Sequence, residues 1–180
     1  MSQPGSPWIL RVFDADRDAD AVSRLDTSIV SDRGYRVRRD GADALRLELA
    51  PLAAPIRKRL PIDLAADAWT DARVVELDGA VRGFVAWGIA AWNRRATIHH
   101  FYVDAPVRGR GAGRLLMSAA LAEARRAAAR TAWVETPAVN HPAIAAYRRL
   151  GFDVCGFDTT LYRGTDGEGE VAVYLAHLLA

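Results

Sequence analysis

The chain has little of the two residue types that most often build metal centres. Cys155 is the single cysteine among 180 residues, which excludes an internal disulfide bond and a cysteine-based metal cluster. The four histidines show neither an HExxH spacing nor a CxxC partner, so no metal site is expected. We expect Cys155 to pack in the core as a small apolar side chain.

Targeting signals and long apolar runs are also missing. The N-terminal stretch MSQPGSPW lacks the pattern of a signal peptide, and no run approaches the roughly 20 apolar residues of a membrane span. The formal net charge is only +2, which is too small to imply nucleic acid or a membrane surface as a partner. Lys58 is the only lysine among the 24 basic residues, a bias that indicates a GC-rich bacterial genome. We therefore expect a cytoplasmic bacterial protein.

The order of the predicted elements is typical of a mixed α/β protein. A strand over 8–13 precedes a helix whose apolar residues recur at helical spacing as far as Ile29. Hairpins are predicted at Asp40-Gly41 and Asp78-Gly79, because Asp-Gly tolerates the positive φ of a tight turn. The remaining predictions are a proline-interrupted irregular segment over 51–70, a strand over 97–103, a helix over 113–129, a strand over 131–135, a helix over 142–150, and strands over 152–155, 159–162 and 171–178. This order predicts a sheet covered by helices.

A glycine-rich loop, Arg108-Gly-Arg-Gly-Ala-Gly113, separates a predicted strand from the long helix. Closely spaced glycines let backbone N–H groups converge on an anion, and the helix N-terminus adds its dipole. The loop has neither the Gly-Lys-[Ser/Thr] of a P-loop nor the GxGxxG of a dinucleotide site. The pattern predicts a site for phosphate or pyrophosphate, and a glycine-rich turn with solvated arginines is the alternative.

Two motifs resemble the signatures of the GNAT superfamily of N-acetyltransferases. Arg108-x-x-Gly111-x-Gly113 resembles [Arg/Gln]-x-x-Gly-x-[Gly/Ala], and Asn140-His-Pro-Ala-Ile-Ala-Ala-Tyr-Arg-Arg-Leu-Gly-Phe152 resembles the second signature. Segments 25–32, 92–95, 140–149 and 155–162 further resemble streptothricin (nourseothricin) acetyltransferases. The resemblance implies an α/β (α+β) fold, with a mixed, mostly antiparallel central sheet, splayed middle strands and helices on both faces. Residues 1–7 are expected to form a loose tail, and 180 residues suit a single domain, which the resemblance makes an acetyltransferase domain over 8–180.

The resemblance implies direct transfer of an acetyl group from acetyl-CoA, without a metal, to a primary amine of a small molecule, with an antibiotic among the acceptors considered. Acetylation of a protein N-terminus or lysine is the alternative, and a coenzyme A-binding module without transfer activity is a third. No nucleic acid or membrane partner is expected, and a homodimer is left open. The implied coenzyme-binding residues are Phe101, Tyr102, Val103, Arg108, Gly109, Arg110, Gly111, Ala112, Gly113, Arg114, Asn140 and Tyr147.

The resemblance also implies catalytic roles. Tyr147 matches the tyrosine that protonates the departing thiolate. His99 matches a base position, and imidazole, with a pKa near 6.5, accepts a proton near neutrality. His100 and water remain alternative bases.

His99 and His100 also depart from the streptothricin acetyltransferases, which carry Glu-Asp at these positions. Strand alternation predicts that the two side chains point to opposite faces. Because two carboxylates are lost, the acceptor region should be less anionic, and streptothricin-type antibiotics are expected to be poor acceptors. The candidate substrate-binding residues are Asp26, Asp32, Trp92, His100 and Asp158.

Overall fold

The structure is a computed structural model that describes residues 7–65 and 69–179. The fold is mixed α/β, with a large, mostly antiparallel sheet and a second sheet of two strands. The elements in chain order are β1 (Ile9–Val12), α1 (Ala15–Ser23), β2 (Ser28–Arg39), β3 (Leu45–Arg59), β4 (Asp71–Leu77), β5 (Ala80–Ala90), β6 (Arg95–Val103), a short 3-10 helix (Ala105–Val107), α2 (Ala112–Arg126), β7 (Thr131–Pro137), α3 (His141–Arg149), β8 (Asp153–Asp158) and β9 (Ala172–Leu178). None of the helices in the described ranges is both long and apolar enough to cross a membrane.

The described residues fall into two compact units. The first unit comprises 7–28, 59–65, 69–133 and 178–179, and the second comprises 29–58 and 134–177. Most of the predicted N-terminal tail, residues 1–6, lies outside the described residues. The single domain expected over 8–180 stays a prediction, and the two units are described separately below.

Antiparallel strands form the framework of the first unit, in the order β1, β4, β5, β6. Ile9 lies opposite Glu76, and Val85 lies opposite Phe101. Asp78 and Gly79 connect β4 to β5 with φ angles of 53° and 75°. Both residues thus adopt the left-handed conformation that the Asp-Gly pair predicts for a tight hairpin.

α1 and α2 cover opposite faces of these strands. Val22 and Leu25 pack in one buried cluster with Ala72, Val74, Phe84 and Ala86. On the other face, Leu116 of α2 comes within 3.0 Å of the position that a Cβ on Gly83 would occupy. Since successive residues of a strand point to opposite faces, Phe84 and Gly83 identify two different faces. The expectation of helices on both faces is therefore confirmed in this unit.

The second unit contains a hairpin, α3 and the C-terminal strands. β2 and β3 form the two-stranded sheet, whose turn includes Gly41 at a φ of 79°. From Val134 onward, β7 is followed in its sheet by β9 and then β8, and β8 pairs antiparallel with β9. α3 begins after Asn140 and ends before Gly151, as the sequence predicts.

The prediction of an irregular segment over 51–70 is wrong in its first half. β3 continues through Pro51 and Pro55 to Arg59. A proline cannot donate to a sheet ladder, but a strand of a two-stranded sheet has one edge that needs no partner. The prolines are tolerated for that reason, and the chain leaves the strand only before Pro61.

Two other predictions of secondary structure, one boundary and one strand, also differ from the structure. α1 ends at Ser23, so Ile29, whose spacing suits the helix, lies in β2 instead. The segment 159–162 is a turn rather than a strand. The Asp158 carboxylate accepts the N–H groups of Thr160 at 2.6 Å and Leu161 at 3.1 Å, which a ladder would otherwise use.

Candidate active site

The glycine-rich loop joins β6 to α2 within the first unit. Gly109 and Gly111 have φ angles of 77° and 93°, and a Cβ placed on either would meet none of the described atoms within 4 Å. Gly111 is the N-cap of α2, and the first N–H groups of a helix have no intrahelical acceptor. An open backbone turn therefore leads directly into a helix N-terminus, the arrangement that binds phosphate. These residues fit the pyrophosphate of acetyl-CoA.

Arg108 opens the motif, but its guanidinium is bound mainly to the protein backbone. Nε donates to the carbonyl of Val103 at 2.9 Å, Nη1 to that of Ser28 at 2.6 Å, and Nη2 to that of Asp26 at 3.0 Å. Burial lowers the pKa of this guanidinium. Three of its five N–H donors thus tie the loop to residues 26–28, so the structure gives Arg108 a supporting role in the loop.

Gly113 allows α2 to approach β6 closely. A Cβ at this position would lie 3.3 Å from Cζ of Phe101 and 3.5 Å from Cγ2 of Val103. Tyr102 is directed differently, because its hydroxyl donates to the carbonyl of Pro61 at 3.3 Å. Of the three β6 residues predicted to meet the coenzyme, Phe101 and Val103 lie beneath the first turn of α2.

β6 is interrupted by a bulge at His99. Ala86 pairs with His100, but the next residue of β5, Trp87, pairs with Ile98, so His99 is the extra residue. The strict alternation assumed from the sequence therefore does not hold here. Bulges redirect side chains, so the period of the strand does not set the orientation of His99 relative to His100.

His100 lies in an aromatic cluster on the α1 face of the first unit. The residue is only 4% exposed, and its ring centroid lies 5.8 Å from that of Phe84, 5.9 Å from Tyr102 and 6.4 Å from Trp69. A side chain enclosed by these rings is a core residue of the first unit. A direct contact with an acceptor would require the cluster to open.

Asp26 and Trp92 are the other acceptor candidates in the first unit. The backbone N–H of Asp26 donates to the Asp104 carboxylate at 2.9 Å, and hydrogen bonds from Ser28 lower the pKa of the Asp26 carboxyl group. Asp26 is therefore ionised at neutral pH and lies beside the anchored Arg108. Trp92 is 88% exposed in the turn between β5 and β6.

In the second unit, the signature segment 140–152 first builds α3. The Asn140 side chain accepts from the N–H of Ala143 at 3.3 Å and donates to the Thr136 hydroxyl at 3.1 Å, which caps the helix and ties it to β7. Tyr147 is buried, and its ring centroid lies 5.8 Å from that of Phe152. The catalytic role of Tyr147 and the coenzyme contact of Asn140 stay predictions.

Asp158 and Asp32 are also in the second unit. Hydrogen bonds from Thr160 lower the pKa of the Asp158 carboxyl group, which also accepts from the Tyr174 hydroxyl at 3.4 Å. Asp32 is exposed on β2. Asp158 is thus an ionised and oriented carboxylate, whereas Asp32 is a surface residue.

Sequence reasoning missed Glu135, which lies on β7 in the second unit. Its carboxyl group accepts a hydrogen bond from the Tyr162 hydroxyl. Burial raises the pKa of Glu135, and the hydrogen bond from Tyr162 opposes this rise. A carboxyl group with a raised pKa is a candidate acid or base. The signal in the sequence is the glutamate at the end of the predicted strand 131–135, directly after Ala132, Trp133 and Val134.

Cys155 is exposed, so the prediction that it packs in the core is wrong. Val154 pairs with Leu175 and Gly156 pairs with Tyr174, which makes Cys155 the extra residue of a bulge in β8. An unpaired bulge residue departs from the inward and outward alternation of its strand. Across the described ranges, no three His, Cys, Asp or Glu side chains are grouped as a metal ion would require.

Known proteins resemble the chain over most of its length. A family model described as Acetyltransferase (GNAT) family matches residues 45–152. A streptothricin acetyltransferase from Streptomyces lavendulae is 39% identical over 88% of this chain and 89% of that protein. The crystal structure of a nourseothricin acetyltransferase superimposes with a TM-score of 0.88 at 38% identity, covering 97% of this chain and 100% of the other.

A more distant crystal structure shares the fold. It comes from Bacillus anthracis str. Ames, contains acetyl coenzyme A, and superimposes with a TM-score of 0.79 at 21% identity. The superposition covers 95% of this chain and 99% of that one.

Proposed function

Since the chain belongs to the GNAT acetyltransferase family and is an acetyl-CoA-dependent acyltransferase, we propose that it acetylates a primary amine of a small cationic molecule, with streptothricin-type antibiotics as the acceptor class. The observation that carries the coenzyme-binding part of this proposal is the open glycine turn at the N-terminus of α2. The relatives named for streptothricin and nourseothricin support the acceptor class.

In the proposed reaction, the loop holds the pyrophosphate of the coenzyme. Acetyl-CoA supplies an activated acetyl group when it is bound. The N–H groups of the first turn of α2 donate to the anion, and Gly109 and Gly111 place no side chain in its way. The guanidinium groups of Arg110 and Arg114 add positive charge near the turn.

The proton leaving the acceptor ammonium needs a base, and two residues are candidates. His99, at the bulge of β6, matches the base position that the resemblance implies, and histidine is the side chain most often used as a general base. Glu135, on β7, has a carboxyl pKa that burial raises toward the range useful for general base catalysis. We assign the opposite role, protonation of the departing thiolate, to Tyr147 because of its place in the second signature.

The sequence led us to expect that streptothricin-type antibiotics are poor acceptors. The proposed acceptor class reverses that expectation. That expectation followed from the replacement of Glu-Asp by His99-His100. His100, however, is buried among aromatic rings, so its identity affects the core more directly than an acceptor surface. Asp158 and Glu135 offer carboxylates elsewhere that suit a polycation.

Release of free thiol from acetyl-CoA tests the activity with a panel of amines. The panel should include a streptothricin, free lysine and a peptide with an unblocked N-terminus. We expect the streptothricin to be the best acceptor, and we expect Tyr147→Phe to lower turnover by about 10²–10⁴ while coenzyme affinity is kept. Faster acetylation of the peptide would instead favour the protein acetyltransferase alternative.

Calorimetry with acetyl-CoA tests the loop separately. We expect Gly111→Asp to weaken binding by about tenfold or more, or about 1.4 kcal/mol, because a carboxylate would repel the pyrophosphate. Gly111→Asn is the matched control, since it imposes nearly the same shape at the same φ of 93° without the charge. Equal affinity of Gly111→Asp and Gly111→Asn for acetyl-CoA would mean that the new carboxylate repels no charge of the coenzyme. The proposal that the loop binds the pyrophosphate would then fail.

The proposal includes a cytoplasmic location, where acetyl-CoA is produced. The oligomeric state is an independent question. A homodimer stays a prediction that light scattering of the purified protein would test.

A further inference from the structure

Trp8 is buried immediately before β1, in the same unit as the glycine-rich loop. The residue is only 3% exposed. Its indole Nε1–H donates to the carbonyl oxygen of Arg110 at 2.9 Å, and the Arg110 guanidinium carbon lies 6.0 Å from the centroid of the indole ring. Trp8 therefore contacts the middle of the loop at both the backbone carbonyl and the side chain of Arg110.

This hydrogen bond orients the peptide unit between Arg110 and Gly111. No cis peptide bond occurs among the described residues, so this unit is trans. In a planar trans peptide, the C=O and the N–H point to opposite sides. With the carbonyl directed at Trp8, the N–H of Gly111 is directed away from Trp8. The same residue then adopts a φ of 93° and caps α2.

The loop has a specific need for such an anchor. Gly109 and Gly111 have more conformational freedom than other residues and lose more entropy when they become ordered. A loop that becomes ordered only when it binds a ligand loses affinity, whereas one that is ordered beforehand does not. Trp8 lies 102 positions from Arg110 in the chain, so the anchor reaches the loop from another element.

We propose that Trp8 is a positioning residue for acetyl-CoA, which pre-organises the loop by fixing the Arg110–Gly111 peptide. The proposal rests on the function proposed above for the loop. Trp8 touches neither the coenzyme nor the acceptor in this role. It should therefore affect the affinity for coenzyme and leave the chemical step unchanged.

The test is Trp8→Phe, which keeps an aromatic ring but removes the N–H donor. We expect the Kd and the KM for acetyl-CoA to rise about three- to tenfold, the size expected from the loss of one hydrogen bond. We expect kcat at saturating acetyl-CoA to stay within about twofold. In the protein without coenzyme, the amides of 111–114 should exchange with deuterium faster than in the wild type.

Trp87→Phe is the matched control, because Trp87 is a buried tryptophan of β5 outside the loop. It should lower the melting temperature without a change in Kd for acetyl-CoA. If both variants lose affinity in proportion to their stability, Trp8 acts only through stability and the proposal fails. It also fails if Trp8→Phe binds acetyl-CoA as the wild type does. If the wild type itself binds no acetyl-CoA, the function proposed for the loop fails instead.

Discussion

At the scale of single residues, Glu135 is the candidate base whose pKa the protein shifts. Its pKa is raised by burial, and the hydrogen bond from Tyr162 opposes this rise. A carboxylate acts as a base only when it is deprotonated. If Glu135 is the base, kcat/KM therefore rises with pH through a pKa above the value near 4.3 that is usual for glutamate.

Tyr162→Phe should move this rise in kcat/KM, the acidic limb of the pH profile, to higher pH. The variant removes the hydrogen bond that lowers the pKa of Glu135, so the carboxyl group should hold its proton to a higher pH. Glu135→Gln should lower turnover by about 10²–10⁴ and abolish the limb. The measurement is the pH profile of kcat/KM between pH 4 and 9.

Tyr174→Phe is the control for Tyr162→Phe. The Tyr174 hydroxyl donates to Asp158 at 3.4 Å, so its removal should shift the limb much less. A limb that stays in place in Tyr162→Phe but disappears in His99→Gln would assign the base to His99.

At the scale of elements, the C-terminus of α3 depends on Gly151. Its φ is 89°, and a Cβ there would lie 2.9 Å from the ring of His177 on β9. Gly151→Ala should therefore suffer both backbone strain and a steric clash. We expect a loss of about 2–4 kcal/mol in the free energy of unfolding, measured by urea denaturation.

Gly169→Ala separates these two causes. Gly169 has a similar φ of 86°, but a Cβ there would meet none of the described atoms within 4 Å. It should show the strain alone, about 1 kcal/mol. Equal losses in the two variants would mean that His177 moves aside without cost.

α1 is attached to the sheet of the first unit by Asp18. Only 1% of this side chain is exposed, and its two oxygens accept from Arg11 at 2.6 Å and 2.7 Å. These hydrogen bonds lower the pKa of Asp18, although burial opposes them. Since the folded pKa lies below the unfolded value near 3.9, the stabilisation is present above that pH and is lost as the pH falls through the folded pKa.

Asp18→Asn should lower the free energy of unfolding by about 3–5 kcal/mol at pH 7, because Arg11 loses a buried partner. The difference from the wild type should shrink as the pH falls below about 4. Asp20→Asn is the control, since the Asp20 side chain is 92% exposed, and it should change stability by less than about 0.5 kcal/mol. A constant difference from pH 7 to pH 3 would contradict the role of the Asp18 charge.

At the scale of the whole molecule, the net charge of +2 offers no general attraction for a polycation. Under the proposed function, recognition would come from local carboxylates such as Asp158 and Glu135, which hydrogen bonds already orient. We expect expression in a sensitive bacterium to confer growth on nourseothricin. Tyr147→Phe, produced at the same level, should abolish that growth.

Absence of resistance, together with thiol release from other amines, would contradict the proposed acceptor class. His99→Glu combined with His100→Asp then becomes informative. If these two positions changed the specificity, the double variant should gain resistance that the wild type lacks. Loss of folding in the double variant would be visible by circular dichroism, since His100 is buried.

Features that depend on neighbouring residues in the chain were predicted well. The turn at Asp78-Gly79, the end of α3 at Gly151 and the open turn at Gly111 follow from the conformations that these residue types allow. The wrong predictions involve interactions that local pattern does not contain. Pro51 is accepted in β3 by its sheet environment, and the bulges at His99 and Cys155 arise from the register of paired strands.

The sequence by itself determined the family, the glycine turn and the position of Tyr147, because each is a short pattern of fixed spacing. Only the tertiary structure decided which groups meet across long separations in the chain. Trp8 reaches Arg110 over 102 positions, and Tyr162 reaches Glu135 over 27. Such pairs leave no periodicity in the sequence, since they depend on the packing of separate elements. Burial and hydrogen bonding in those elements then determine which side chains are anchored and which pKa values are shifted.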